Sequence, residues 1–586
     1  MPSEQQQPSS APNLLQLGAG VGSKVERIKK ESDYLRGQIV EELGQDTSRF
    51  SEDQIQLLKF HGTYQQEDRD VRQTRKAAGT EKAYQFMIRS RIPGGAVTAE
   101  QYLVQDELSE RYGNGSLRIT TRQSFQLHGV LKGNLHATIH GINESLLSTL
   151  AACGDVNRNV MACPAPISSR AQAQVQEIAH AIAMRLAPRS AAYHEIWVDG
   201  EKVHTVEQAD EGEPVEPLYG PTYLPRKFKI GVAFPGDNCV DAFTQDIGLV
   251  ARLDGEELRG FTLIIGGGMG MTHGKAETFP RLATPLADVT VEQALLVVET
   301  ILTVQRDYGD RQNRKHARMK YVVQERGIEW FRSQVEQRLG YTLADPSPVV
   351  FHGVEDHLGW HEQADGRWFL GLFVENGRII DRDGQRVKSG LRAVVQQFKP
   401  GIRLTGQQNI LLTDIPAEQR GAVEELLQSY GIAIDPQAAG TYRFAMACPA
   451  LPTCGLALAE SERVLPDVVK LIEADLHDLG LADEPVSIRM TGCPNGCARP
   501  YMGDIGLVGR SKDLYNVYVG GDQPNTRLNT LYASSVHTDQ IAPTLRPLLQ
   551  LWRDERQAQE PFGDFCERVG IEALRQRVAD QQAVIG

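Results

Sequence analysis

The chain has 586 residues, a formal net charge of −13 at pH 7 and eight cysteines. This length predicts several domains or one large body built from repeats, and the acidic charge argues against a nucleic-acid-binding protein. No apolar run approaches the length of a membrane span. The first residues resemble neither a signal peptide nor a transit peptide. We therefore expect a cytoplasmic protein that binds neither nucleic acid nor membrane.

The first 75 residues are predicted to form a partly disordered N-terminal arm. Residues 1 to about 20 are rich in Gln, Ser and Pro, a composition typical of disorder. Residues 24–43 have the apolar spacing of one helix, carried by Val25, Ile28, Leu35, Ile39 and Val40. Such a helix either packs on the body of its own chain or docks a partner protein.

Two parts of the chain resemble each other at one constant offset. LRITTRQSFQLHGV at 117–130 resembles IRLTGQQNILLTDI at 402–415, and MACP occurs at both 161–164 and 446–449. Both matches are offset by 285 residues, which indicates a duplicated module. We predict an α+β fold of two related repeats with a cofactor between the halves. The expected boundaries of the repeats are 76–345 and 346–586.

Each repeat is predicted to contain alternating strands and amphipathic helices. The predicted helices lie at 170–187, 290–307 and 417–430, and strands that end in glycines lie at 261–270 and 516–521. Gly266–Gly268 lacks the GxxxxGKS/T pattern of a phosphate loop and the βαβ setting of a dinucleotide loop. We interpret these glycines as a place where backbone approaches a flat cofactor. Without a nucleotide site, the chain needs a separate protein as electron donor.

Four cysteines of the second repeat have the spacing of a metal centre. Five residues separate Cys448 from Cys454, three separate Cys493 from Cys497, and 38 lie between the two pairs. Two such loops offer four soft ligands to one centre. The spacing favours an iron–sulfur cluster, although zinc and unliganded thiols stay open as alternatives. Disulfides are disfavoured, because eight cysteines in a chain of this length suggest a reducing compartment.

The first repeat keeps one of these thiols. Cys163 matches Cys448, and at the offset of 285 residues the other three cysteines have no counterpart. Only the second repeat is therefore predicted to carry the metal. The remaining three cysteines are isolated in sequence and are expected to be small buried side chains: Cys153, Cys239 and Cys566.

Tight clusters of basic residues need a reason in an acidic protein. They comprise Arg89 and Arg91; Arg118 and Arg122; Arg158; Arg226, Lys227 and Lys229; and the run at 306–320. Arg118 and Arg122 fall in the duplicated strand, and Lys227 and Lys229 share one face of a strand around Phe228. These cations predict a positive cavity for a polyanionic cofactor, a small oxyanion, or both. For the run at 306–320, solvated surface charge is an equally good interpretation.

Taken together, ACPALPTC, TGCPNGCARP, LRITTRQSFQLHG and YLPRKFK resemble the sulfite/nitrite reductase family over nearly the whole chain. The resemblance implies a [4Fe-4S] cluster held by Cys448, Cys454, Cys493 and Cys497, with Cys497 also the proximal ligand of sirohaem. Arg118 and Arg122 match positions that contact the sirohaem carboxylates. The substrate positions of the family fall on Arg89, Arg158, Lys227 and Lys229.

The resemblance also implies an activity, the six-electron reduction of sulfite to sulfide in sulfate assimilation and cysteine biosynthesis. KFHGTYQQEDRD at 59–70 resembles the branch that receives electrons from a separate NADPH-oxidising FAD/FMN flavoprotein. A hetero-oligomer is therefore expected, with residues 1–75 as the candidate docking site for the flavoprotein. The alternatives are a ferredoxin-dependent sulfite or nitrite reductase and, more remotely, a non-catalytic zinc or cluster scaffold.

Overall fold

A computed structural model of the chain describes residues 22–167, 170–199, 215–434 and 440–585. The expected disorder at residues 1 to about 20 lies outside the described residues. Four five-stranded sheets dominate the described part, together with two small two-stranded sheets, and helices pack against them. In this part of the chain no helix is both long and apolar enough to cross a membrane.

Two of the large sheets, which we name sheets I and II, are fully antiparallel and share one topology. In spatial order, sheet I contains Thr63–Glu67, Tyr84–Arg89, Phe125–Val130, Leu117–Ile119 and Arg378–Ile379. Sheet II contains Gly359–Glu362, Trp368–Leu372, Ile410–Ile415, Gly401–Leu404 and Ala96–Val97. The last strand of each sheet comes from the other half of the chain, so the two repeats exchange a strand.

The strand exchange is built in the same way on both sides. Gly95 and Gly377 immediately precede the exchanged strands, and each has a φ of 73°. A Cβ on Gly95 would collide with the carbonyl oxygen of Leu404, and one on Gly377 with that of Ile119. Since Ile119 and Leu404 are themselves 285 residues apart, the close backbone approach is duplicated along with the sequence.

The other two large sheets, sheets III and IV, have three parallel strands continued by two antiparallel ones. Sheet III contains, from its parallel edge, Met161–Ala162, Ile230–Ala233, Ile247–Asp254, Glu257–Ile265 and Thr284–Thr290. Sheet IV contains Met446–Ala447, Ile488–Thr491, Ile505–Ser511, Leu514–Val519 and Thr530–His537. The small sheets pair Gly236–Asp237 with Phe351–Gly353 and Asp381–Arg382 with Gln385–Arg386. The predicted α+β duplication is confirmed.

The helices pack against the sheets, and the apolar faces of helices and sheets are buried between them. The longer ones are Ala99–Arg111, Leu135–Glu144, Arg170–Arg185, Val291–Tyr308, Ile328–Leu339, Val387–Phe398, Arg420–Ser429, Leu465–Asp478, Ile541–Glu555 and Ile571–Ile585. The shorter ones are Lys24–Lys30, Ile39–Leu43, Glu52–Leu58, Arg72–Ala77, Ala191–His194, Met319–Arg326, Gly440–Arg443 and Phe562–Val569. All three predicted helices are confirmed, and Thr290 caps the second of them through a reciprocal bond pattern with Gln293.

The single helix predicted over 24–43 is wrong. Two short helices, Lys24–Lys30 and Ile39–Leu43, are separated by a turn in which Leu35 has a φ of 79°. The Ser32 hydroxyl accepts a hydrogen bond from the Leu35 amide at 2.9 Å and so stabilises the turn. The break lets Leu35 enter the main core, which it would not reach from a straight helix.

The expected boundary at residue 75 lies inside a continuous structure. Thr63–Glu67 pairs with Tyr84–Arg89, so sheet I contains residues from both sides of that boundary. On the helix Lys24–Lys30, the ammonium group of Lys29 is buried. It donates to the Leu224 carbonyl at 2.8 Å and lies 3.6 Å from the Asp155 carboxylate. Residues 24–30 are therefore packed on the body of their own chain.

Candidate metal centre and anion site

The four predicted metal ligands lie on two loops that start side by side. Met446–Ala447 and Ile488–Thr491 are neighbouring parallel strands of sheet IV, and the loops leave their carboxyl ends. Cys448 and Cys493 stand at the beginning of these loops, where the Gly492 amide lies 3.4 Å from the Cys448 sulfur. Parallel pairing thus brings together two loops that are about 40 residues apart in the chain.

The thiols of the two loops act on one another electrostatically. Burial, and then the neighbouring Cys497 thiol, raise the pKa of Cys448 and of Cys454, and raise the pKa of Cys493 to about 12. Cys497 is the exposed member of the set. Because the thiolate form of the buried three is disfavoured, a cationic centre is needed to hold four thiolates together.

The surroundings of these thiols suit an iron–sulfur cluster better than a single zinc ion. Amide groups of Leu456 and Ala457 bond the Cys454 sulfur, and the Asn495 side-chain amide lies 3.5 Å from that of Cys493. N–H donors of this kind tune cluster potentials. Among the described residues, the one group of three or more ligand atoms within 4.8 Å of one another lies elsewhere, at Cys163. No three of the four cysteine sulfurs meet this spacing in the described loops, whereas the ligands of one tetrahedral zinc lie about 3.8 Å apart.

The predicted substrate residues meet on neighbouring extended segments. Asn157 forms a parallel bridge with Phe228, and the Arg158 amide donates to the Phe228 carbonyl at 2.9 Å. Lys227 and Lys229 flank Phe228, whose own side chain is fully buried. The predicted strand is thus reduced to a single bridge before Ile230–Ala233, but the alternation that gives both lysines one face is present.

The two lysines, their neighbouring arginines and Cys497 interact electrostatically. Burial lowers the pKa of Lys227 and of Lys229 well below the usual range; next in size are the charges of Arg158 on Lys227 and of Arg122 on Lys229. The Cys497 thiol acts on both lysines in the opposite direction. A cavity with several cations and few counter-charges is a site for an anion.

The arginines of this cavity are held by neutral groups. Arg89 donates to the Cys153 sulfur at 3.0 Å and, with the Gln126 amide oriented to accept, to that side chain at 3.1 Å. Arg158 donates to the Gly154 carbonyl at 3.1 Å and 3.2 Å and also bonds the Tyr64 hydroxyl. Their guanidinium groups are oriented without being neutralised, which leaves their charge available to a bound anion.

The two arginines expected to contact cofactor carboxylates differ in their surroundings. Arg118 is buried in its strand, where it donates to Glu462 at 2.9 Å and to the Ala447 carbonyl at 2.9 Å. Its charge therefore has a counter-ion within the chain. Arg122 lies in the turn after the strand and not in the strand itself, which corrects the prediction. Its Nη1 donates to Gln245 at 2.8 Å, while its buried Nε has no partner in the described chain.

Sequence reasoning missed part of the support of this site. In the run at 306–320, Arg314 forms two bonds with buried Asp155 at 2.6 Å and 2.9 Å, and Arg318 pairs with buried Asp246 at 2.8 Å. Surface charge is therefore the wrong interpretation for these two arginines. Asp246 also accepts from the Lys229 amide at 2.9 Å, so this pair positions the lysine. The signal in the sequence was Asp246, which immediately precedes the strand Ile247–Asp254.

The glycines at 266–268 pack against their own repeat, and the residues that follow them contact the second cysteine loop. A Cβ on Gly267 would lie 2.5 Å from the Gln245 carbonyl oxygen. Farther along, the Met271 amide donates to the Pro494 carbonyl at 2.9 Å, and Lys320 donates to the Gly270 carbonyl at 2.8 Å. The loop after Glu257–Ile265 thus packs the first repeat against the cysteine loop of the second.

The three cysteines that are isolated in sequence have different surroundings in the structure. Cys566 is a buried core side chain, as predicted. Cys153 is buried but bonds Arg89, so it borders the anion site. Cys239 is also a buried core side chain, as predicted, but its sulfur lies beside that of Cys163. The strands on either side of Cys239, Ile230–Ala233 and Ile247–Asp254, begin 258 residues before the corresponding strands of sheet IV, Ile488–Thr491 and Ile505–Ser511. Cys239 is likewise 258 residues before Cys497.

Comparison with known proteins adds independent findings. The domain described as "Nitrite and sulphite reductase 4Fe-4S domain" matches residues 177–343 and 439–584. The domain described as "Nitrite/Sulfite reductase ferredoxin-like half domain" matches residues 79–145 and 361–430. Each domain occurs once in each predicted repeat, so the comparison reproduces the duplication.

Similar sequences come from several bacteria. A sulfite reductase (NADPH) hemoprotein beta-component of Staphylococcus saprophyticus is 47% identical, over 94% of this chain and 96% of that protein. A sulfite reductase (ferredoxin) of Synechococcus elongatus is also 47% identical, over 97% and 92%. The structure of the Mycobacterium tuberculosis NirA protein has the same fold, with a TM-score of 0.77 and 23% identity, over 95% of this chain and 99% of that one. On these matches, the chain belongs to the nitrite and sulphite reductase family.

Proposed function

We propose that this chain reduces sulfite to sulfide with six electrons supplied by a separate protein. One observation carries the proposal: the loops with four cysteines and the cavity with Arg158, Lys227 and Lys229 meet at Cys497. An electron-storing centre and a site for a small oxyanion are therefore neighbours. Both relatives described above are named sulfite reductases, which supports sulfite as the substrate.

The cofactors of the family fit the donor groups present. A [4Fe-4S] cluster takes four cysteine thiolates, and the two loops offer Cys448, Cys454, Cys493 and Cys497. Cys497 differs from the others in being exposed, which suits a sulfur that also faces a second iron. Sirohaem is a polyanion, and the unpartnered Nε of buried Arg122 is a donor available to a carboxylate. When bound, the two groups deliver electrons to the sulfur atom of sulfite.

Binding and proton supply fall to the cationic side chains. Arg89 and Arg158 are already oriented by neutral partners, so they hold and polarise the oxygens of sulfite. Neither Lys227 nor Lys229 donates a side-chain hydrogen bond to another described residue. Their ammonium groups are therefore free to bond the substrate.

The lysines are also the best proton donors in the cavity. Their pKa is lowered by burial and by neighbouring cations, which makes each ammonium group a stronger acid than an exposed lysine. Each oxygen that leaves the sulfur must be protonated to depart as water, and an adjacent acidic ammonium can supply that proton. Arginine cannot do so, because it does not lose its proton in this pH range.

The electron donor is proposed to be a flavoprotein that oxidises NADPH and docks on the N-terminal part of the chain. Residues 24–62 are largely packed on the body, whereas Arg72–Ala77 has no buried residue. Just before this helix, Arg69 donates to the Cys454 and Ala457 carbonyls at 3.2 Å and 2.7 Å. An exposed basic helix next to a cysteine loop suits an acidic donor, even though the whole chain is acidic.

Sulfide formation tests the function. Holoenzyme purified from a host that makes sirohaem should convert sulfite to sulfide with reduced methyl viologen as electron source, and Lys227→Met should lose most of this activity. Lys470→Met is the matched control, since Lys470 is exposed on a distant helix. Absence of sulfide, or a higher kcat/KM for nitrite than for sulfite, would contradict the proposal.

A further inference from the structure

A second group of ligand-type side chains lies apart from the four-cysteine loops. Cys163, Asp237, Cys239 and His357 place two sulfurs, a carboxylate oxygen and an imidazole nitrogen within 4.8 Å of one another. Cys163, Cys239 and His357 are 3%, 0% and 4% exposed, and Asp237 is partly buried. Neither the cysteine cluster nor the anion cavity uses any of these four residues.

Both repeats contribute to this group. Cys163 follows Met161–Ala162 at the edge of sheet III, and Asp237 ends the short strand Gly236–Asp237. That strand pairs in parallel with Phe351–Gly353, which leads to the segment containing His357. The pairing therefore brings a ligand from the start of the second repeat next to three ligands from the first.

Hydrogen bonds fix the carboxylate in an orientation suited to a ligand. Asp237 Oδ1 accepts from the backbone amides of Cys239 and Glu355 at 3.0 Å and 3.1 Å. The other oxygen, Oδ2, lies 3.8 Å from the Cys163 sulfur and 3.5 Å from His357 Nε2. Ligand atoms around a tetrahedral zinc, at bond lengths of about 2.0–2.3 Å, are about 3.3–3.8 Å apart. The observed spacings match these edges.

The imidazole of His357 lies within ion-pair distance of the Asp237 carboxylate but is too far from it for a hydrogen bond. His357 Nε2 is buried without a hydrogen-bond partner, although it points toward the carboxylate. The residue also has a φ of 55°, which is unusual for a side chain other than glycine. The nearby core is apolar, with Val240, Ile264 and Phe351 among its members. A buried imidazole nitrogen that makes no hydrogen bond and faces a carboxylate and two thiols is a candidate metal ligand.

We propose that Cys163, Asp237, Cys239 and His357 bind one zinc ion that fastens the two repeats together. Two thiolates with one imidazole and one carboxylate form a closed set of four, the arrangement of a structural zinc site. Both sulfurs stand at positions related by the duplication to cluster ligands, Cys163 to Cys448 and Cys239 to Cys497. The first repeat thus keeps two of the four thiols and completes the site with different groups.

Metal analysis of the holoenzyme tests this proposal. Protein produced in zinc-containing medium should hold about one zinc per chain beside its iron, and X-ray absorption at the zinc edge should show two sulfurs at about 2.3 Å and two lighter atoms at about 2.0–2.2 Å. The zinc edge is specific to the element, so the iron centres do not interfere. Cys239→Ser and His357→Ala should each lose the zinc and retain the iron.

Cys566→Ser is the matched control, because Cys566 is a buried thiol in another core and should not affect zinc content. Three results would overturn the proposal: wild-type protein without stoichiometric zinc, zinc retained in both variants, or a Cys163–Cys239 disulfide in the mass spectrum of unreduced protein. If a variant fails to fold, the zinc content and zinc-edge spectrum of the wild-type protein still decide.

Discussion

Cys163 and Cys448 occupy the same place in the two repeats but have different surroundings. Each follows a two-residue edge strand, Met161–Ala162 or Met446–Ala447, that pairs in parallel with the next strand of its sheet. Around Cys448 the following loops supply further thiols; around Cys163 they supply Asp237 and Cys239. One duplicated frame therefore holds two kinds of ligand set.

The repeats also divide the chemistry between them. The first repeat carries the cations of the anion site, including Arg158, Lys227 and Lys229, whereas the second carries the four cysteines. The two sets of residues come close to one another where the repeats meet, at Cys497 and the loop after Glu257–Ile265. Duplication thus provided two copies of a frame, and divergence of the loops gave each copy one half of the function.

The largest effect is expected for the thiol at which the two halves meet. Cys497→Ser should remove or severely disturb both the cluster and the haem, because in the proposed arrangement this one sulfur would serve both centres, and activity should fall by at least about 100-fold. Iron and acid-labile sulfide assays with the visible spectrum provide the measurement. Cys239→Ser, the equivalent change in the first repeat, should leave these signals unchanged, and normal haem and cluster spectra in Cys497→Ser would contradict the bridge.

Changes in the first repeat should alter turnover without altering the metal centres. Lys227→Met and Lys229→Met should each keep normal spectra and lower kcat by about 10²–10³-fold, since a proton donor and a charge are lost from the anion site. They should also release partly reduced sulfur species. Steady-state kinetics with product analysis tests both variants, and unchanged kinetics would remove the lysines from the site.

The stability of the first repeat, which carries the clustered cations, should depend on the buried carboxylate of Asp155. Burial opposes ionisation of Asp155, but the charges of Arg314 and Lys29 outweigh it and hold the pKa of Asp155 well below the usual range. Asp155→Asn should lower the free energy of unfolding by about 3–5 kcal/mol, because buried cations lose their partner. Denaturation at neutral pH measures this loss, with exposed Asp467→Asn as the control.

The same carboxylate predicts a pH dependence. Since its pKa is lower in the folded than in the unfolded chain, its contribution to stability is complete above about pH 4 and is lost as the pH falls further. Wild-type protein should therefore lose stability in acid more steeply than Asp155→Asn. Parallel curves for the two proteins would show that Asp155 is not ionised through this network.

Because the strand exchange is built in the same way on both sides, equivalent substitutions on the two sides should destabilise the protein by similar amounts. Gly95→Ala and Gly377→Ala should each destabilise the protein by about 1–3 kcal/mol, because both need a left-handed backbone and would collide with a carbonyl oxygen. Thermal unfolding measures the effect, and Gly133→Ala, where a Cβ meets nothing within 4 Å, is the control. A cost in only one of the two glycine variants would show that the exchanged strands are not equivalent.

The smallest effect on turnover is expected at the proposed docking site for the electron-donor protein. Lys76→Glu on the exposed helix Arg72–Ala77 should reduce turnover several-fold with the protein donor and weaken its salt dependence, since a charge at the rim of an interface mainly changes association. Turnover with reduced methyl viologen should stay unchanged. Equal loss with both electron sources would place the defect in the enzyme itself.

Much of this arrangement could be predicted from the sequence. The segment at 117–130, which forms two paired strands, and the MACP turn recur at one offset, so the duplication, the helices and the cysteine loops could be predicted from local pattern. Family resemblance then supplied the predicted roles of Arg89 and Arg158.

The remaining features depend on contacts that no local pattern encodes. The offset between the repeats falls from 285 to 258 residues after MACP, because the first repeat has a longer connection there, so a search at one offset misses the match of Cys239 to Cys497. His357 joins that site only through the pairing of two short strands. The turn that interrupts 24–43 likewise depends on burial of Leu35 in the tertiary core.

The central claim is that the thiols of the second repeat and the anion site of the first share Cys497. Mössbauer spectroscopy of the oxidised holoenzyme, enriched in ⁵⁷Fe, tests it most directly. If one sulfur joins the haem iron to the cluster, the cluster irons should show magnetic splitting induced by the paramagnetic haem. Cluster irons with simple quadrupole doublets, unaffected by the haem, would show two separate centres and contradict the account.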